Sequence, residues 1–174
     1  MGALTKPHRV KLIVGLIYKE TPRAQDALVR LVRRFGAIDF ESPEIAFNHT
    51  AYYEKEFGSG LKRKFISFKS LILPDSLSPI KITTNKIEAR LTIKGMRSVN
   101  IDPGYLDLAR LILASTKDHA HRIYLHKGIH AEITLIYHNK TFSPCEWTYP
   151  DFRTPPLIQI FNAIRKLYAA QKRV

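Results

Sequence analysis

Histidines, carboxylates, an asparagine and tyrosines crowd between Ser98 and Arg153, in the strings SVNIDPGYLDLA, KDHAHRIYLHKGIHAEITLIY and EWTYPDF. An imidazole beside a carboxylate can act as a general base, the acid orienting the ring. His121 and Glu132 are the pair for that work, because a turn at Lys127-Gly128 folds their segments together. In the simplest register His126 faces Ile129, Leu125 faces His130, Ile123 faces Glu132 and His121 faces Thr134. Alternation then places His121, His130, Glu132 and Thr134 on one sheet face, and a second hairpin about Asn139-Lys140 adds Cys145 and Trp147. The same residues would equally form a cross-strand ion pair on a wet face.

The segment Asn100-Ile101-Asp102-Pro103-Gly104-Tyr105 offers a second chemistry. A carboxylate where a strand ends and a helix begins is a common place for metal ligands or anion-binding amides. Read this way, Asp102 joins His121 and Glu132 as catalytic, while Asn100, Gly104 and Tyr105 bind ligand. Helix capping by Asp, proline at the first helical position and a Pro-Gly turn account for Asp102 without any ligand. Lys117 and Arg122 add positive charge suited to a phosphate. Trp147, Tyr149 and Asp151 set aromatics beside an acid, either to stack a base or, for the tryptophan, to plug the core. Asn100, Asp102, His121, Glu132 and Tyr149 are expected around one ligand-sized pocket.

Other chemistries find less in the chain. His119 and His121 stand two apart beside Asp118, but no H-E-x-x-H, no cysteine pair and no third ligand at a diagnostic spacing follows, so no metal is assigned. Neither a G-x-x-x-x-G-K-[ST] loop nor a G-x-G-x-x-G turn occurs, and no cofactor is assigned. The NIDPG motif (residues 100–104) and the TYPD motif (residues 148–151) resemble those of a bacterial and archaeal family, domain of unknown function 4416, and the resemblance runs over almost the whole chain. It implies a fold-sized unit and carries no activity with it.

The elements that must position these residues follow from periodicity. VKLIVGLIY, Val10 to Tyr18, reads as a central strand. Thr21 caps a helix with Pro22 at its first position, Leu28, Leu31, Val32 and Phe35 on one stripe, and Gly36 at its end. Ile38 to Phe47 reads as a strand bent at Pro43, and Lys64 to Phe68 as another. Ser78-Pro79 opens a helix with Ile80, Thr84, Ile87 and Leu91 on one face, followed by a short strand from Arg97 to Ile101. Asp102-Pro103 then starts a helix carrying Leu106, Leu108, Ala109 and Ile112 or Leu113; two hairpins follow, and Thr154-Pro155 begins the last helix. This order gives one α+β domain, residues 1–174, with a mixed or antiparallel sheet: a ferredoxin-like βαββαβ core, C-terminal hairpins and a closing helix.

Composition bounds the partners. The chain has 174 residues, 45% of them hydrophobic, enough for one domain with a sizeable core. A single cysteine, the absence of an apolar leader and the lack of any long apolar run predict a cytoplasmic protein with no membrane partner. Lys and Arg total 28 against 15 acids, a net charge of +13, which raises the local concentration of polyanions. The expectation is RNA, or a nucleotide or other phosphate-bearing ligand, in a cleft formed by the NIDPG turn and the hairpins of residues 117–151. The alternative is a small hydrolase or transferase on such a substrate, using His121 and Glu132.

Overall fold

The computed structural model describes residues 2–48 and 54–172. At its centre is β1 (Val10–Tyr18), buried at every position. An apolar run without alternation needs cover on both faces, and β1 has it on both edges as well. Along one edge it pairs antiparallel with β4 (Leu61–Ile72), along the other with β5 (Val99–Leu106). The break at Pro43 divides the next segment into β2 (Ile38–Glu41) and β3 (Ile45–Phe47), which occupy successive stretches of the outer edge of β4.

Beyond β5 come β6 (Arg110–Ser115) and β8 (Ile129–His138), and the outer edge of β8 carries β7 (Ile123–His126) and β9 (Thr141–Pro144). The path is β2-β4-β1-β5-β6-β8-β7, with β3 on β4 and β9 on β8, and every pairing is antiparallel. The fold is thus a single α+β domain, whose nine-stranded sheet is larger than the four-stranded sheet of a ferredoxin-like unit.

Two apolar layers sandwich the sheet. On one face α1 (Thr21–Phe35) and α3 (Leu77–Arg90) cover Leu12, Val14, Leu16, Tyr18 and Ile101 through Ala24, Ala27, Leu31, Ile80 and Ile87. On the other face α4 (Pro155–Gln171) packs Leu157, Phe161, Ile164 and Tyr168 against Ile13, Phe65, Leu111 and Leu135. A short helix, α2 (Glu54–Phe57), places Phe57 against Ile17 and Leu61. The cap of α1 is Glu20 rather than Thr21, which lies in the first turn beside Pro22. No helix among the described residues is long and apolar enough to cross a membrane.

The expected helix after Asp102 is a hairpin instead. NIDPG lies inside β5, and the chain turns at Asp107, whose Oδ1 accepts the N–H groups of Ala109 (2.7 Å) and Arg110 (2.8 Å). That Asx-type turn substitutes for helical hydrogen bonds at the point where a helix would propagate. Gly104 then has a packing reason, because a Cβ there would lie 2.3 Å from the carbonyl oxygen of Ile112 on β6. Register in the following hairpin also differs from expectation. His126 faces Ile129, but a shift before it sets Tyr124 opposite His130 and Ile123 opposite Ala131.

Candidate functional site

The sheet is open in one place. β5 pairs with β1 over its whole length but with β6 only at Gly104, Tyr105 and Leu106, so residues 99–103 present an edge that β6 does not cover. Proline suits this position, since it has no N–H to offer a neighbouring strand. The exposed backbone of Ile101 is satisfied by α3 instead: its N–H donates to Glu88 Oε1 at 2.6 Å and its carbonyl accepts from Lys81 Nζ at 3.0 Å. Two buried side chains seven residues apart on one helix therefore replace a strand.

Between this edge and the end of β6 lies a cleft of about 630 Å³. Asn100 and Asp102 face it from β5, Lys81, Asn85 and Glu88 from α3, and Ser115, Thr116 and Lys117 from the end of β6. Arg122, Glu132, Tyr149 and Asp151 close the far side, over Arg63 and the rings of Phe47 and Phe152. Its charged lining is Arg63, Lys81, Arg97, Lys117 and Arg122 against Glu88, Asp102, Glu132 and Asp151, a single cation in excess.

Most of these charges engage one another. Lys81 Nζ donates to Asp102 Oδ1 at 3.1 Å, and Asn100 Nδ2 donates to Asp102 Oδ2 at 2.6 Å. Burial opposes ionisation of Asp102, but Lys81 and Arg63, with the hydrogen bonds from Lys81 and Asn100, hold its carboxyl below the usual carboxylate range. Glu88 moves the other way: burial, with Asp102 nearby, pushes it up despite Lys81, the Ile101 amide and Arg97. Arg97 reaches Glu88 at 3.1 Å and Asn100 at 3.0 Å, and grips Glu56 on α2 with two bonds of 2.6 Å. Arg63 is ion-paired with Asp151 and lies 4.7 to 5.2 Å from the ring centres of Phe152, Phe65 and Phe47. These aromatic faces hold the guanidinium where water would otherwise solvate it.

On the opposite wall Glu132, buried on β8, is the hub. Its Oε2 accepts from Arg122 Nε at 2.7 Å and lies 3.2 Å from His121 Nε2, while Thr134 donates to Oε1 at 3.3 Å. Arg122 also donates to Ser115 (2.9 Å), the Lys117 carbonyl (2.9 Å) and the Tyr149 hydroxyl (3.0 Å). His121 lies outside the cleft lining, stacked between His119 and Trp147 at 5.8 and 5.6 Å. Trp147 is fixed by its Nε1 donating to the Ile133 carbonyl at 2.8 Å.

The fold thus brings Asn100, Asp102, Glu132 and Tyr149 to one cleft, with Lys117, Arg122 and Asp151, and sets His121 behind Glu132. Gly104, Tyr105 and Trp147 line none of it. Tyr105 packs with Leu77 and Ile112, and Trp147 follows the end of β9 rather than lying on it. Residues that sequence reasoning passed over are Arg63, Lys81, Glu88 and Arg97. The signal for two of them was present: Lys81 and Glu88 interrupt the buried face of α3 next to Ile80, Thr84 and Ile87. No cluster of metal-ligating side chains occurs among the described residues.

Fold and site together define a class, a single α+β domain with a charge-paired polar cleft where its antiparallel sheet opens. The chain belongs to the family described as domain of unknown function (DUF4416), whose profile matches residues 8–168. No curated protein and no solved structure matches it.

Proposed function

We propose that the protein binds a small phosphate-bearing ligand of nucleotide size in the cleft between β5 and β6. The observation that carries this reading is Lys81. It is buried, its ammonium gives two of its three donors to Ile101 and Asp102 among the described residues, and it lines the cleft. The volume of about 630 Å³ falls within the range of small-molecule sites. Asn100 and Asp102 are acceptors suited to sugar hydroxyls or base N–H groups, and Phe47 and Phe152 give an apolar wall. One excess cation suits a single small anion better than a polymer, so RNA in the cleft is the weaker version. We also read the path β2-β4-β1-β5, with α1 and α3 on one face, as a ferredoxin-like core whose sheet continues into β6, β8 and the edge hairpins.

A catalytic version rests on the 3.2 Å approach of His121 to Glu132. Proton exchange with a ligand would pass through Glu132, which lines the cleft, with His121 positioned behind it. Arg122 competes for the same Glu132 oxygen, which favours a binding role over a base.

Thermal unfolding in the presence of inorganic phosphate and of nucleoside mono-, di- and triphosphates tests the proposal. A ligand at a hundred times its Kd adds about 2.7 kcal/mol of stability, and Lys81→Met should abolish that gain while circular dichroism reports a folded protein. A panel without any stabilising member, or one whose effect survives Lys81→Met and Asn100→Ala alike, refutes the reading.

A further inference from the structure

The surplus of positive charge lies outside the cleft, and part of it gathers at the opposite end of the sheet. β1 enters there at Val10 and reaches the cleft at Ile17, roughly 23 Å further along the strand. Arg33 and Arg34 end α1 at that far end, Arg34 lying 5.9 Å over the Phe35 ring, which meets Phe68 edge-on. Lys69 follows Phe68, and its N–H donates to the Ala37 carbonyl just beyond α1. Gln171, near the end of α4, donates to the Lys69 carbonyl at 3.0 Å, and Lys172 lies 5.9 Å from the Tyr168 ring. Tyr168 in turn donates to the Arg9 carbonyl at 2.6 Å, and Arg9 to that of Leu71 at 3.1 Å.

These contacts place Arg9, Arg34, Lys69 and Lys172, with Arg33 beside Arg34, around one end of the sheet, and all five are exposed. None of the five forms an ion pair among the described residues, whereas Arg63, Lys81, Arg97 and Arg122 in the cleft all do. Asp39 and Asp107, at the same end of the sheet, are taken up by Lys11 and Arg110. Cations held on strand and helix ends, without acidic partners, are the groups that displace counterions from a phosphate backbone.

We propose that this end of the molecule docks the sugar-phosphate backbone of a nucleic acid, independently of the ligand in the cleft. A nucleic acid fits better than an anionic membrane because no aromatic side chain among the exposed ones lies on this surface to anchor it between headgroups. Among the described residues the exposed aromatics, Tyr124, Trp147 and Tyr149, belong to the hairpins and the loop after β9.

Two double variants that remove the same charge test the proposal with the full chain: Arg34→Gln/Lys69→Gln on the surface, and Lys86→Gln/Arg90→Gln on the exposed side of α3. Binding of a fluorescein-labelled single-stranded RNA is followed by anisotropy across a salt series, and circular dichroism confirms folding. The surface variant should bind about tenfold more weakly at low salt and lose about 1.4 from the slope of log affinity against log salt, two phosphate contacts' worth. The α3 variant should keep the parent slope. Equal losses in both variants would reduce the effect to net charge and overturn the proposal, as would an unchanged slope in the surface variant. Stronger binding to phosphatidylserine vesicles than to RNA, lost in the surface variant, would assign the surface to a membrane instead. Mononucleotide binding in the cleft is measured separately, so either reading can fail alone.

Discussion

Two carboxylates that feel the charge of the same lysine, Lys81, are driven apart in acidity, and that difference gives opposite pH dependences. Burial raises the Glu88 carboxyl above its ordinary value of 4.5. The folded chain therefore holds this proton more tightly than the unfolded chain. The stability it contributes is full below 4.5 and is lost as pH rises through the folded value. Asp102 behaves in reverse: its lowered value contributes stability above the ordinary 3.8 that disappears as pH falls through the folded value. Glu88→Gln keeps an acceptor for the Ile101 N–H and removes the titration. Urea midpoints from 4.5 toward neutrality should then fall less steeply than in the parent, and an identical slope would show that Glu88 is not the titrating group. Asp102→Asn takes the carboxylate from Lys81, whose side chain is 7% exposed. An incompletely satisfied buried ammonium costs about 2 kcal/mol, read as a lower urea midpoint at neutral pH; a loss within a few tenths would mean that Lys81 finds another partner.

At the scale of elements the opening of the sheet depends on Pro103 and Gly104, which let β5 leave β6 and yet touch it closely one residue later. Gly104→Ala forces a methyl against the Ile112 carbonyl and Leu113, which backbone must accommodate, so a loss of about 2 kcal/mol is expected in thermal unfolding. A wild-type midpoint would mean that β6 moves freely. This dipeptide is also where sequence reading failed. Asp-Pro-Gly has the local chemistry of a helix cap, and Leu106 to Leu113 has apolar residues at spacings that fit a helix or a strand; only the tertiary edge left for Ile101 decides. Elements with unambiguous periodicity were legible: β1, α1, α3, the hairpins at Lys127-Gly128 and Asn139-Lys140, and α4. The cleft was half legible. Asn100, Asp102, His121, Glu132 and Tyr149 were expected together; all but His121 line the cleft, which lies on a strand edge rather than at a helix start. Arg63 carries no local signal, because its ion-pair partner Asp151 is distant in sequence, and Arg97 carries little, because its carboxylate partners Glu56 and Glu88 lie on other elements.

Across the whole molecule, cohesion falls from the centre of the sheet outward. β1 lies between two long antiparallel partners, under α1 and α3 on one face and against the α4 core on the other, and every residue is buried. β7 is its opposite: four exposed residues at the rim, paired only with β8, with a register shift between Tyr124 and His126. Amide exchange follows the free energy of the opening that exposes each N–H. Amides of β1 can open only when β4 or β5 separates from it, which approaches global unfolding, whereas β7 can peel from β8 while both apolar layers stay intact. Native-state hydrogen exchange should therefore find the β1 amides of Leu12 to Ile17 among the slowest in the chain and those of Ile123 to His126 among the fastest of any strand. Amides of β7 outlasting those of β1 would mean that the hairpin rim is clamped by contacts beyond this chain and that the strongest part of the sheet is not its buried centre.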